Sequence, residues 1–306
     1  MSSDTKGTRK PKRSTSTGSA TAGKLKLTSE LIISLLVAGL YALFLVETRL
    51  AEGMTALMLA MFLFVTFLVF VYIVRGGTHK KKLEFASLLY VFLGLSALSL
   101  VWQLLAYFNV VDATKISPEI MIMVIGLVYA VVSVAIIAVI AYLEKSSLKD
   151  IYLTPGDSKV IPFAVVAFIL CALLGIGATY LLFGGSTLGQ DKLIMLILAV
   201  LVFSLLASIA EELWFRGLMM SRITPILGES YGNIYQAVVF GVFEAVMFYV
   251  ITRQISLMPA IFIIGSMTGY YWGRATLRSK SIISPMLLHA GFYVLVALPI
   301  LVGLTT

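Results

Sequence analysis

Ser208-Ile209-Ala210-Glu211-Glu212-Leu213-Trp214-Phe215-Arg216-Gly217 closes a long apolar run that begins near Leu193. Two carboxylates and a guanidinium therefore stand at the end of a stretch long enough to enter a membrane. A charged side chain deep in a bilayer costs on the order of 3 kcal/mol or more, so such groups face a protein interior or a water-filled cavity. On a helix, Glu212 and Arg216 are four apart, share a face and can pair. Glu211 points about 100° away and is left free for other work. The competing reading is a cytoplasmic helix end, with both acids snorkelling to water beside Arg216 and Arg222.

Composition places the rest of the chain around this stretch. Of 306 residues, 60% are hydrophobic and 12% charged, with a mean hydropathy of +1.01, which excludes an ordinary soluble domain. The expectation is an all-α fold, a polytopic transmembrane helical bundle. Cys171 lies in an apolar segment, reads as a small core residue and offers neither a disulfide framework nor a cysteine metal site. The net charge of +8 does not imply nucleic acid, because the basic residues lie in the N-terminal tail and in alternate loops. Residues 1–28, rich in Ser, Thr, Gly, Lys and Arg, read as a disordered basic tail. No convincing small-x-small cleavage site follows the first apolar run, Leu31 to Val46, so it reads as a retained signal anchor.

Apolar stretches of spanning length recur at about 29–47, 53–75, 84–109, 118–143, 160–184, 192–220, 233–251, 257–275 and 282–304, which predicts about nine helices. If they alternate from a cytoplasmic N-terminus, 19 of the 23 Lys and Arg fall on the cytoplasmic side. Only Arg49, Lys115, Lys192 and Arg253 fall on the other. That asymmetry supports both the count and the orientation. The connection 144–159, with Pro155-Gly156-Asp157, marks a boundary. It divides residues 29–150, four N-terminal transmembrane helices almost free of ionisable groups, from 151–306, which holds the chemistry in a core of about 190–300.

Only Glu211, Glu212 and Glu244 among the 15 acids lie well within apolar stretches. Glu244 stands in Phe240-Gly241-Val242-Phe243-Glu244-Ala245-Val246-Met247-Phe248 with no charged neighbour in sequence. It must find a partner on another helix, bind a metal, or be protonated; a neutral acid hydrogen-bonded inside the bundle, with no functional role, is the competing reading. His79 belongs to the basic loop His79-Lys80-Lys81-Lys82 and reads as solvated, whereas His289 sits in the last apolar stretch with Tyr293 one turn on. A lone histidine is often only a packing residue. Depth argues for more. Counted from the cytoplasmic ends, Glu211 lies about 15 Å in, Glu244 about 17 Å and His289 about 12 Å, at about 1.5 Å per residue. Separate helices thus bring their ionisable groups to one level. Two carboxylates, a histidine and a tyrosine in a low-dielectric cavity are suited to general-base activation of water, with or without a metal.

Glu211-Glu212-x-x-x-Arg216, then Phe240 four residues before Glu244, then His289 four before Tyr293 in the final helix, resembles the CPBP family, the CAAX proteases and bacteriocin-processing enzymes also called Abi proteins. The resemblance covers roughly residues 190–300. It implies an intramembrane endopeptidase, in some members a metalloprotease, acting on a membrane-anchored or hydrophobic peptide near the cytoplasmic face. The eukaryotic branch removes the last three residues of prenylated CAAX proteins on that side. Carried over, Glu211 matches the acid that activates water, Glu212 and Arg216 its supporting pair, and His289 the final-helix histidine. Glu244 stands where the family commonly has histidine, and Tyr293 where it has asparagine. With those two substitutions the catalytic set is Glu211, Glu212, Arg216, Glu244, His289 and Tyr293. Glu211, Glu244 and His289 would hold a divalent metal such as zinc if one is used.

The expected partners are the lipid bilayer and the peptide substrate, with no nucleic acid. A catalytically inactive homologue acting as a membrane binding or scaffold protein is the alternative function. A small transporter with Glu211 and Glu244 as a proton relay is a third, although no paired repeats or broken helices support it.

Overall fold

The computed structural model describes residues 29–76, 80–110, 115–157, 159–183 and 189–305. The basic tail 1–28 and His79 lie outside these residues, and the side chains of Lys80, Lys81 and Lys82 are not described.

The described chain is helical and contains no strand. In a bilayer core no water is available to the backbone, so long Leu, Val, Ile, Phe and Ala runs satisfy their own N–H and C=O groups as helices. They are α1 (Ser29–Leu50), α2 (Gly53–Arg75), α3 (Lys80–Tyr107), α4 (Pro118–Glu144), α5 (Ile161–Phe183), α6 (Gln190–Glu212), α7 (Met220–Thr252), α8 (Met258–Ser279) and α9 (Ile283–Thr305). Pro118 opens α4, where a missing N–H does no harm, and Lys145, Arg253 and Lys280 end α4, α7 and α8 in the left-handed region. The connection after α4 holds a short 3-10 turn, Leu148–Ile151. Its Asp150 carboxylate caps the Ser147 amide at 2.7 Å and hydroxyl at 2.8 Å. These two bonds hold the Asp150 carboxyl below the usual aspartate range.

Eight helical elements among the described residues are long and apolar enough to cross a membrane, close to the nine expected. The difference has a physical origin. The stretches 192–220 and 233–251 run on without a loop as one 63-residue element, Gln190–Thr252, in which two helices meet at a kink at Gly228. A π-helical segment, Leu213–Met219, joins α6 to α7 without a loop. Yet the element is not straight. Gly228 takes φ 79° and ψ 164°, a backbone open to glycine and strained for other residues. Beyond it the chain doubles back, and the Phe215 and Phe240 ring centres lie 5.1 Å apart. A straight helix would separate those residues by roughly 37 Å.

One core runs through both halves of the chain. Tyr41 and Phe67 pack on Phe92, and the same cluster continues into Trp214, Phe215 and Phe240. The Tyr235 hydroxyl donates to the Ser34 carbonyl at 2.9 Å, tying α7 to α1. On α8, Gly265 and Gly269 face α7 so closely that a Cβ on either would sit 3.1 Å from Gly241 Cα or 3.2 Å from Ala237 Cα. Small residues at this spacing let two membrane helices approach backbone to backbone. The start of α9 is fixed by the connection before α5. Ile282 N–H donates to Tyr152 O at 3.1 Å, and Thr154 Oγ1 to Lys280 O at 2.7 Å.

Candidate active site

The site is built where α6, α7, α8 and α9 meet. Glu211 and Glu212 end α6, and the wider π-helical turn that follows carries Arg216. Such turns redirect side chains within a continuous helix and recur at functional positions. Glu212 and Arg216 are both fully buried, with Arg216 Nη1 2.9 Å from Glu212 Oε1. The guanidinium lies over the Phe240 ring at 4.2 Å and near Trp272 at 5.3 Å. Although close, the Arg216 N–H groups make no aligned hydrogen bond to a protein group among the described residues, so the contact with Glu212 is Coulombic rather than a directed fork.

Glu212 also reaches α9. His289 Nδ1 lies 2.9 Å from the same Glu212 Oε1. An ionised carboxylate can only accept, so with Glu212 ionised Nδ1 carries the proton and donates. That fixes the tautomer and leaves the lone pair on Nε2, which lies 3.4 Å from Glu211 Oε2. The imidazole is stacked on Trp272 at 4.3 Å and meets the edge of Phe240 at 5.5 Å. It is held on both faces and at one nitrogen.

Glu244 arrives from α7 beyond the turn at Gly228 and is partly buried. Its partner is Tyr293, whose hydroxyl lies 2.9 Å from Glu244 Oε1 and 2.7 Å from Glu211 Oε2. The phenol thus spans the two acids. Of the alternatives left open for Glu244, a partner on another helix is what the fold supplies. One ligand atom each from Glu211, Glu244 and His289 lies within 4.8 Å of the others, close enough to hold a metal ion. Tetrahedral zinc with bonds of about 2 Å needs donors about 3.3 Å apart. The donor chemistry, two carboxylates and an imidazole whose far nitrogen is held by Glu212, fits a divalent cation after a small contraction.

All six residues singled out in the sequence lie in one cluster. Sequence reasoning missed Trp272, because an aromatic in Tyr270-Tyr271-Trp272-Gly273 is indistinguishable from core until α8 is placed against α9. It also missed the bond from Glu212 to His289 across 77 residues of sequence.

Residues 193–295 match the family model described as Rce1-like, type II CAAX prenyl endopeptidase Rce1-like. No curated protein and no solved structure matches the chain.

Proposed function

We propose that this integral membrane protein is an intramembrane endopeptidase of the CAAX-processing type, cleaving a membrane-anchored or hydrophobic peptide near the cytoplasmic face. The Rce1-like match over residues 193–295 supports a protease at the level of the family. The observation that carries the reading is the meeting of Glu211, Glu244, His289 and Tyr293 in one cluster. The positive-inside distribution supports a cytoplasmic N-terminus, and the bundle 151–306 acts as the catalytic unit behind the helices of 29–150. The bilayer and the substrate peptide are its partners, and nucleic acid has no role.

In this reading Glu211 accepts a proton from water while the water oxygen attacks the scissile carbonyl. The Tyr293 hydroxyl turns from the carboxylates to donate to the developing oxyanion. The proton held by Glu211 then passes to the leaving amide nitrogen as the C–N bond breaks. Glu212 and Arg216 keep His289 in one tautomer and one orientation. A divalent metal such as zinc, if held by Glu211, Glu244 and His289 Nε2, would polarise the carbonyl and acidify the water.

The inactive binding or scaffold reading draws on one observation, the Tyr293 hydroxyl lying between the two acids where water would enter. Cleavage of a fluorogenic hydrophobic peptide by purified protein in detergent, wild type against Glu211→Ala, decides between them. Cleavage that survives Glu211→Ala, or none in wild type, would remove the protease reading.

A further inference from the structure

The end of α4, the 3-10 turn after it and the start of α7 surround a cleft of about 460 Å³. Arg222, in its floor, lies roughly 16 Å along the helix from Glu211, so the cleft is separate from the cluster of acids. The floor is a nearly buried ion pair. Arg222 bonds Glu144 Oε2 through Nε at 3.0 Å and through Nη2 at 2.8 Å, and the two side chains are only 10% and 8% exposed. Arg222 Nη2 also donates to Ser146 Oγ at 2.6 Å, and Nη1 to Ser221 Oγ at 3.2 Å. A guanidinium engaged at all three nitrogens is fixed in place. The rim differs. Lys145 and Lys149 line the cleft, are exposed, and form no ion pair among the described residues. The second acid of the lining, Asp150, is turned to the Ser147 amide and hydroxyl. Three cations thus face two acids that are both already engaged.

A second groove, of about 580 Å³, shares Lys145 and Ser146 with the first and continues along the last turn of α4 past Ala141, Tyr142 and Leu143. Tyr142 is 82% exposed and Leu143 44%. On a spanning helix such apolar side chains face lipid, and a tyrosine near the helix end sits at the level of the headgroups. A basic cleft therefore opens onto an apolar groove at the membrane surface. With the N-terminus cytoplasmic, α4 ends on the cytoplasmic side, whose leaflet carries anionic lipid.

We propose that this cleft and groove bind one anionic phospholipid of the cytoplasmic leaflet. Its phosphate lies between Lys145 and Lys149 over the Arg222–Glu144 pair, and its glycerol and first acyl carbons lie along Ala141, Tyr142 and Leu143. An occupant charged at one end and apolar at the other matches both cavities, whereas a free anion would fill the cleft and leave the groove bare. The headgroup touches α4, the 3-10 turn and α7 together. That turn packs on the π-helical segment, where a Cβ on Gly217 would lie 3.1 Å from Ile151 O. A bound lipid thus clamps the front half of the chain to the segment that carries Arg216. The site stands or falls apart from the peptidase reading, since its test needs no cleavage.

Full-length protein, stripped of lipid in neutral detergent, is titrated with phosphatidylglycerol carrying a fluorescent acyl chain. Phosphatidylglycerol should bind at least about tenfold tighter than phosphatidylcholine. Lys145→Gln/Lys149→Gln should weaken it about thirtyfold, from about fivefold for each lysine, and leave phosphatidylcholine unchanged. Both lysines are exposed, so the variant folds. Arg274→Gln/Arg278→Gln removes two exposed cations of α8 at the same membrane face and should change binding less than about twofold. A photoreactive phosphatidylglycerol should cross-link to residues 141–149. Equal weakening in the two double variants would reduce the site to general surface charge, and equal affinity for the two lipids would remove the headgroup. Displacement at equal concentration by inorganic phosphate or by a soluble acidic peptide would make the occupant a free anion and overturn the lipid. Cross-links confined to other helices would place it elsewhere.

Discussion

Arg216 and Glu212 offer the sharpest energetic test of the site as built. Both side chains are fully buried, 2.9 Å apart, and no other cation contacts Glu212 among the described residues unless His289 is protonated. Replacing Arg216 by Met keeps an unbranched, polarisable side chain against Phe240 and Trp272 and removes the charge. Breaking a buried pair this way costs about 3–5 kcal/mol, because the remaining carboxylate is uncompensated. The Arg216 N–H groups make no aligned hydrogen bond to a protein group among the described residues, so the lower part of that range applies, about 3 kcal/mol. Glu212→Gln keeps the acceptor for His289 Nδ1 and leaves Arg216 as the uncompensated charge, again about 3 kcal/mol. The double variant has neither charge. It should be destabilised by about 2 kcal/mol rather than about 6, a coupling of about 4 kcal/mol. Reversible unfolding in mixed micelles with increasing dodecyl sulfate, or steric trapping, measures all four corners of the cycle. Additivity within about 0.5 kcal/mol would refute the pairing and with it the account of how His289 is oriented.

The other predictions concern chemistry, packing and topology. Glu244→Gln should abolish peptide cleavage about as completely as Glu211→Ala, whereas Glu244→His should preserve or raise it; a more stable Glu244→Gln protein of unchanged activity would sink the protease reading. If the acids and His289 hold a metal, purified protein should contain about one zinc-like ion per chain and lose cleavage on chelation, with recovery on readdition; full activity in metal-free protein would refute the metal. Gly175→Val should cost about 1–3 kcal/mol, since a Cβ there would lie 2.6 Å from Val294 O on α9; an unchanged Tm would mean that α5 and α9 do not pack as described. Cysteine labels at Ser3 and Thr305 should react from opposite sides of the membrane, and reaction of both from one side would overturn the orientation.

Glu212 pairing with Arg216 was legible because helical spacing alone puts them on one face. The common level of Glu211, Glu244 and His289 was legible because charge bias gives each span a direction and helical rise turns residue counts into depth. The joining of 192–220 to 233–251 was not. Hydropathy falls between those stretches at Gly228-Glu229-Ser230, and a dip in hydropathy looks the same whether the chain leaves the helix or turns sharply within it.

Adjacent acids with separate tasks explain why the site needs both Glu211 and Glu212. About 100° of helix rotation turns Glu212 toward the guanidinium and His289 Nδ1, and Glu211 toward Tyr293 and His289 Nε2. His289 is thereby addressed by a different carboxylate at each nitrogen. Because Glu212 is neutralised by Arg216, it can fix the imidazole without adding net charge beside Glu211. Glu244 has no such cation among the described residues, and it shares a neutral phenol with Glu211. Two carboxylates joined through one hydroxyl need a proton or a cation between them, since a single O–H can donate to only one. A third acid at position 244 therefore makes the site's affinity for cations, rather than its geometry alone, the property on which the proposed peptidase activity turns.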